Sequence, residues 1–269
     1  MTEAIRVAVV TGAARGIGAA TVLALAERDW SVLAVDRACD DPALPYPLAT
    51  EEDLAGVVRL AGVRAGAAGR VRAFVADVRD TAALEAAVAE AVRIWGGLDA
   101  AIAAAGVIAG GVPLWDVPAE QQQAVLEVNL GGVIGLARVA IPAMLLRPPP
   151  RSGRFLAVAS AAATRGLPTL AAYCAAKAGV AGLIRALGVE LGGTGVTANA
   201  VSPGSTETPM LDESARLYCV DSAEHFAAEQ PVRRLLQPSE VAAVLAFLAG
   251  PDSSGMTGAV VPVDGGLAL

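Results

Sequence analysis

The single lysine of this 269-residue chain, Lys177, follows one of its three tyrosines, Tyr173, by four positions. At that spacing on a helix the two side chains share a face. A phenol titrates near ~10 on its own, too high for ready proton exchange at neutral pH. A neighbouring ammonium stabilises the phenolate and lowers that value. The pair therefore suits general acid–base work on an alcohol or a carbonyl. Ser160 ends the apolar run Arg154–Ala159 and can hydrogen-bond the same substrate oxygen. Every other cationic side chain is an arginine, which does not replace a compact ammonium held close to hydroxyl groups.

A second constellation lies near the start of the chain. Gly12, Gly16 and Gly18 follow the β-branched run Val7–Val10 and open a helical stretch to about Arg28. Glycine lets the backbone come close to a pyrophosphate, which the free N–H groups of a helix N-terminus then bind. Asp36 ends the second apolar run, Ser31–Val35. A carboxylate there accepts hydrogen bonds from an adenosine ribose and repels a 2′-phosphate, which favours NAD over NADP. Arg15 and Arg37 are close enough in sequence to rescue a phosphate in part.

These residues need a scaffold, and the chain alternates in a way that supplies one. Short apolar runs at 7–10, 31–35, 71–76, 98–103, 154–159, 196–201 and 259–263 read as strands. Helical segments run to about 28, from about 50, and over about 81–95, 118–146, 170–191 and 239–248. Thr50 as N-cap with Asp53 three residues on forms a near capping box. Apolar rather than alternating strands point to a sheet covered on both faces. The predicted fold is α/β: a Rossmann-type, doubly wound parallel sheet of about seven strands with helices on both faces. In such sheets the ligand lies beyond the carboxyl ends of the strands, and Gly12, Asp36, Asp77, Gly106, Ser160 and Pro203 all fall at those ends. Residues 1–269 read as one domain, with no internal repeat. Residues 209–236 read as irregular.

Composition excludes other classes. Net charge is −7, which argues against a nucleic-acid surface or a polybasic membrane contact. One histidine, His225, makes a histidine-rich metal site impossible, and no metal is expected. Lys177 is not preceded by the P-loop glycines. Cys39, Cys174 and Cys219 are odd in number and widely spaced, as reduced thiols of a cytoplasmic protein would be. The acidic Met-Thr-Glu-Ala start has no signal-peptide pattern, and no uncharged apolar run reaches ~18 residues with helical continuity, so no membrane span is expected.

Thr11-Gly12-Ala13-Ala14-Arg15-Gly16-Ile17-Gly18 together with Tyr173-Cys-Ala-Ala-Lys177 resembles the short-chain dehydrogenases/reductases. The resemblance covers nearly the whole chain, with Asp77-Val78, Asn129, Ser160, Pro203-Gly204 and Asp264-Gly265-Gly266 in the family's order. It implies an oxidoreductase that interconverts a secondary alcohol and its ketone with NAD. Tyr173 would be the acid/base, Lys177 would also hold the nicotinamide ribose, and Asn129 would support a proton-relaying water. The implied cofactor contacts are Gly12, Arg15, Gly16, Ile17, Gly18, Asp36, Arg37, Asp77, Val78, Ala103, Ala105, Gly106, Asn129, Tyr173, Lys177, Pro203, Gly204, Ser205, Thr206 and Thr208. A substrate lid is implied at about 207–237, with His225 a possible substrate contact, and so is a homotetramer built through the long helices and the last strand. Relatives usually carry Asn-Asn-Ala-Gly where this chain has Ala103-Ala104-Ala105-Gly106, a change that bears on local stability more than on chemistry.

The interval from Asp36 to Asp77 is about fifteen residues longer than a compact step of this kind needs. Three prolines, Pro42, Pro45 and Pro47, exclude a regular element there. This insert, at about 37–50, looks like that of the mycofactocin-coupled branch, as do Pro203–Leu211 and the run from Gln230 to Leu236. Members of that branch hold NAD tightly and pass electrons to a peptide-derived carrier. Pro42–Leu48 is accordingly expected to fold over bound NAD and slow its release. Two other readings remain: a 3-oxoacyl-[acyl-carrier-protein] reductase, for which Arg233-Arg234 is a small basic docking patch, and a non-catalytic dinucleotide sensor on the same fold.

Overall fold

The computed structural model describes residues 5–64 and 69–269. The Met-Thr-Glu-Ala start on which the signal-peptide reading rests lies outside the described residues. Seven parallel strands form one sheet in the order β3-β2-β1-β4-β5-β6-β7. They are β1 (Val7–Thr11), β2 (Ser31–Asp36), β3 (Val71–Val75), β4 (Ala100–Ala103), β5 (Arg154–Val158), β6 (Thr197–Pro203) and β7 (Val260–Val263). The order reverses beside β1, so β1 and β4 diverge to neighbours on opposite sides and leave a crevice at their carboxyl ends. The alternation of short apolar runs and helices thus gives the expected doubly wound sheet.

Helices α1 (Gly16–Ala26), α2 (Glu51–Arg64) and α8 (Pro238–Ala249) pack on one face of the sheet. Helices α3 (Thr81–Trp95), α4 (Ala119–Leu126), α5 (Gly132–Leu145) and α6 (Ala171–Glu190) pack on the other. The central strands β1 and β5 are buried along their whole length, which is why their sequences run apolar without alternation. Phe155 on β5 is fully buried, a placement worth about 1.5–3 kcal/mol relative to exposure. Small residues set how closely the layers approach. A Cβ on Gly18 would lie 2.0 Å from the Gly12 carbonyl oxygen, and one on Gly132 would lie 2.6 Å from Val78 Cγ2. The capping box at α2 forms as the spacing suggests: Thr50 N–H donates to Asp53 at 2.8 Å, and Asp53 N–H donates to Thr50 Oγ1 at 3.2 Å.

Two features depart from the sequence reading. Residues 209–236 are not irregular throughout: α7 (Pro209–Leu217) and a 3-10 turn (Ala223–Glu229) lie within them. Thr208 caps α7 through the Leu211 N–H, and Pro209 sits at the first helical turn, the position where a missing N–H costs nothing. The long helix of residues 119–145 is interrupted by a π-turn, Glu127–Gly131, that carries Asn129. Two segments, Ala119–Leu145 and Ala171–Glu190, are also long and apolar enough for a membrane span, with mean hydropathy 1.7 and 1.3. Both lie against the sheet and carry candidate site residues, so their apolar character serves the core.

Candidate active site

At the carboxyl end of the sheet lies a cavity of about 590 Å³. Its floor is the β1–α1 turn. Gly12 and Gly16 adopt φ of +66° and +57°, and a Cβ on Gly12 would lie 2.6 Å from the Ala105 backbone. Helix α1 has no side chain capping its first turn, so its leading N–H groups face the cavity without a protein acceptor. A glycine cradle with open N–H donors and the positive end of a helix fits a pyrophosphate.

The β2 end of the cavity carries charge. Asp36 accepts hydrogen bonds from Ala14 N–H at 3.0 Å and Ala38 N–H at 3.1 Å. Arg15 donates to the Pro47 carbonyl at 3.1 Å. Arg37 pairs with Asp41 and, at 3.3 Å, with Asp77. Asp77 lies below the ordinary carboxylate value: partial burial works to raise it, but Arg79 and Arg37 overcome that.

The catalytic candidates come together at the other end. Tyr173 is buried on α6, with its hydroxyl 4.0 Å from Met210 Sδ. Burial raises its pKa, and the neighbouring Ser160 hydroxyl opposes the rise. Lys177 lies 4% exposed, with Nζ 5.7 Å from the Tyr173 ring centre and donating to the Val158 carbonyl at 2.8 Å. Burial brings its pKa down to about 8. Ser160 Oγ accepts from Ala162 N–H at 3.1 Å, which fixes the turn after β5. A buried phenol, a buried amine and a hydroxyl thus stand on one wall of the cavity, the set of groups that general acid–base exchange requires.

Most of the residues singled out in the sequence line this one cavity: Gly12, Arg15, Gly16, Ile17, Gly18, Asp36, Arg37, Asp77, Val78, Ala105, Gly106, Ser160, Tyr173, Lys177, Pro203, Gly204, Ser205, Thr206 and Thr208. Two do not. Ala103 is inside β4, and its neighbour Ala104 lines the wall instead. Asn129 is fully buried behind the wall, where its amide accepts from Val107 N–H and donates to the Val107 carbonyl, both at 2.8 Å. It fixes the loop after β4 rather than facing the cavity. His225 does line the cavity, edge-on to Phe226 at 6.2 Å between ring centres. Arg234 is taken up by a two-pronged pair with Glu240, at 2.7 Å each, which leaves the basic patch with little to offer a carrier protein.

Among the residues that the sequence did not single out are Asp41, Tyr46, Ile108 and Met210. Asp41, Ile108 and Met210 line the cavity, and Ile108 N–H donates to the Tyr46 hydroxyl at 3.0 Å. Met210 follows the Thr-Pro start of α7, a cap signal that places it. Nothing local announces the Tyr46–Ile108 contact.

Comparison with known proteins agrees with this geometry. A family model described as enoyl-(acyl carrier protein) reductase matches residues 12–268. The cis-4-hydroxycyclohexanecarboxylate dehydrogenase of Sinomonas cyclohexanicum is 39% identical, over 97% of this chain and 96% of its own. The short-chain reductase protein NovJ of Streptomyces niveus is 38% identical, over 97% and 93%. The crystal structure of carveol dehydrogenase from Mycobacterium avium in complex with NAD superposes with a TM-score of 0.90 at 32% identity, covering 97% of each chain. With its glycine turn, its Tyr–Lys pair and its strand order all in place along that length, the chain belongs to the short-chain dehydrogenase/reductase family.

Proposed function

We propose that this protein is an NAD(H)-dependent oxidoreductase that interconverts a secondary alcohol and its ketone. The observation that carries the reading is one cavity with the glycine cradle and Asp36 at one end and Tyr173, Lys177 and Ser160 at the other. Relatives named as dehydrogenases of cyclic alcohols support the same reaction class. Gly12, Gly16 and Gly18 would hold the pyrophosphate, Asp36 the adenosine ribose, and Thr206 and Thr208 the carboxamide. When bound, NAD supplies a hydride acceptor in one direction and a hydride donor in the other.

The protein's own groups handle the proton. In oxidation Tyr173 takes the proton of the substrate hydroxyl as hydride leaves the adjacent carbon; in reduction it returns a proton to the carbonyl oxygen. Ser160 holds that oxygen by a hydrogen bond. Lys177, close beneath the ring, stabilises the phenolate and offsets the rise that burial imposes. Asn129 keeps Val107, and with it the wall opposite Tyr173, in place. Apolar side chains of Ile108, Leu170, Met210 and Phe226 exclude water, and α7 with the following turn serves as the substrate lid.

The insert belongs to the same reading. It is a strap that leaves Asp36 and lines the cavity through Arg37, Asp41, Leu48 and Ala49, tied to the glycine turn by Arg15 and to the loop after β4 by Tyr46. Leu44 is buried in the core, and Tyr46 and Leu48 pack against it. A strap fixed on both sides of the cleft supports retention of NAD between turnovers and re-oxidation by an external carrier of the mycofactocin type, in a single-domain cytoplasmic homotetramer.

The test is a screen of secondary alcohols with added NAD⁺ and, in parallel, with an artificial electron acceptor alone. Retained NAD gives turnover with the acceptor and little with added NAD⁺. Tyr173→Phe should lower turnover in either assay at least ~100-fold, within the ~10²–10⁴ range of general acid–base catalysis. Unchanged turnover would remove the acid/base assignment, and a wild type with no turnover in either assay would return the chain to a binding role.

A further inference from the structure

Two arginines beside the strand ends near Asp36, Arg37 in the cavity wall and Arg79 behind it, are held by a carboxylate that the strap supplies. Arg37 follows Asp36 at the end of β2, and Arg79 lies two residues after Asp77, just beyond β3. Asp41, with its side chain 3% exposed, pairs with both: Arg37 through Nη1, and Arg79 through Nη2 at 2.9 Å. Its other oxygen accepts from Ala43 N–H at 2.9 Å. Asp77 closes the set, 2.6 Å from Arg79 and 3.3 Å from Arg37. Two guanidinium groups thus face two carboxylates, and the cluster is neutral. Among the described residues no ion pair joins Asp36 to either arginine; its oxygens are taken by backbone N–H groups. Asp36, Arg37, Asp41 and Asp77 nonetheless share one stretch of the cavity wall.

We propose that Asp41 is a second cofactor-specificity residue, which locks Arg37 and Arg79 into a neutral cluster and so denies them to the 2′-phosphate of NADP. Asp36 disfavours that phosphate by repulsion at the ribose. Asp41 disfavours it by occupying the donors that would compensate, since recognition of a phosphate dianion needs guanidinium N–H groups that are free to turn to it. The chain can therefore carry an arginine directly after Asp36 and still select NAD. The strap that supplies Asp41 also lines the cavity through Leu48 and Ala49, so one segment serves both retention and selectivity in this reading. The inference rests on the dinucleotide reading of the cavity but is independent of the chemistry at Tyr173.

The test uses Asp41→Asn, which keeps the shape and the acceptor for Ala43 N–H and leaves the cluster one positive charge in excess. Charcoal-stripped protein is titrated calorimetrically with NAD⁺, NADP⁺ and 2′,5′-ADP. The variant should bind NADP⁺ and 2′,5′-ADP about tenfold more tightly than the wild type, with NAD⁺ affinity within about twofold. Where charcoal leaves nucleotide in place, the ratio of NADP to NAD in acid extracts of the purified proteins should rise in the same direction. An unchanged ratio overturns the proposal. In an Arg37→Gln/Arg79→Gln background Asp41→Asn should give no gain; a gain there would mean simple charge removal and overturn the role assigned to the arginines. Asp36→Asn with Asp41 intact reports even if the Asp41 variant does not fold: NADP⁺ should still bind at least about tenfold more weakly than NAD⁺, and equal binding overturns the second lock. A wild type that binds neither NAD⁺ nor 5′-ADP refutes the dinucleotide reading itself, a result distinct from either failure.

Discussion

Lys177 is buried at a cost. Its pKa near 8 is depressed by burial below the ~10.4 of a free ammonium. Between those two pH values the unfolded chain binds the more protons, so stability from this residue rises as pH increases through that window. Below pH 8 the full penalty is present, about 3 kcal/mol by linkage. One hydrogen bond, to the Val158 carbonyl, returns a part, about 1 kcal/mol. Lys177→Met should therefore raise the stability at pH 7 by about 1–2 kcal/mol, a Tm gain of roughly 2–6 °C, while turnover disappears. Lys177→Arg should keep fold and charge and still lose at least ~100-fold in turnover, because the planar fork does not fit where the compact ammonium sits. A lower Tm for the methionine variant, measured by scanning calorimetry, or wild-type turnover for the arginine variant would show that Lys177 is present for structure. A residue that costs stability and persists as the single lysine of the chain is explained by the site it serves.

At the level of elements, the strap is tied through two neighbouring residues, Tyr46 and Pro47, to two different loops, and the ties differ. Arg15 to the Pro47 carbonyl is exposed, and the Tyr46 hydroxyl to Ile108 N–H is partly buried. Burial raises the Tyr46 pKa to about 12, so the side chain stays neutral across the working pH range, and its oxygen accepts from Ile108 N–H throughout. Tyr46→Phe leaves a buried N–H without its partner, a loss of about 1–2 kcal/mol. If the strap governs cofactor exchange, the off-rate of bound dinucleotide should rise about tenfold, followed by release into an excess of a fluorescent analogue. An unchanged off-rate would leave the strap a surface loop. The sequence announced the strap through three prolines and excess length but could not say where it lands, because Tyr46 and Ile108 are 62 residues apart. Strands and helices were legible for the opposite reason: their hydrogen bonds are local or follow from apolar runs, and the strand ends alone gathered most of the cavity wall. Helix α7 was missed although Thr208-Pro209 is a regular start signal, because the preceding Pro-Gly-Ser turn reads as continuing loop. Asn129 was found by its place in the family's order, yet its contacts needed the π-turn, which no periodicity reveals.

At the scale of the whole molecule, the two longest apolar helical segments satisfy the sheet with one side and leave apolar side chains outside on the other. Leu126, Ile134 and Val189 are exposed on α4, α5 and α6, and Phe247 is exposed on α8. The edge strand β7 is half-exposed as well. Apolar faces of this kind mark association surfaces, and helices rich in alanine and glycine allow another copy of the chain to approach closely. Two such faces, one on the long helices and one around α8 and β7, would close a tetramer with two kinds of two-fold contact. Light scattering should give four times the 26.9 kDa chain mass. Ile134→Glu should break the contact through α5, and Phe247→Glu the contact through α8, each leaving a dimer with a folded cavity that still binds dinucleotide. A monomeric wild type, or a tetramer that survives both substitutions together, would show that these faces are covered in some other way. Tyr173 and Lys177 sit on α6, the same helix that carries Val189 outward, so packing between copies would steady the helix that holds this pair. On that account the Ile134→Glu dimer should lose turnover more than the Phe247→Glu dimer does, and equal losses would separate assembly from catalysis.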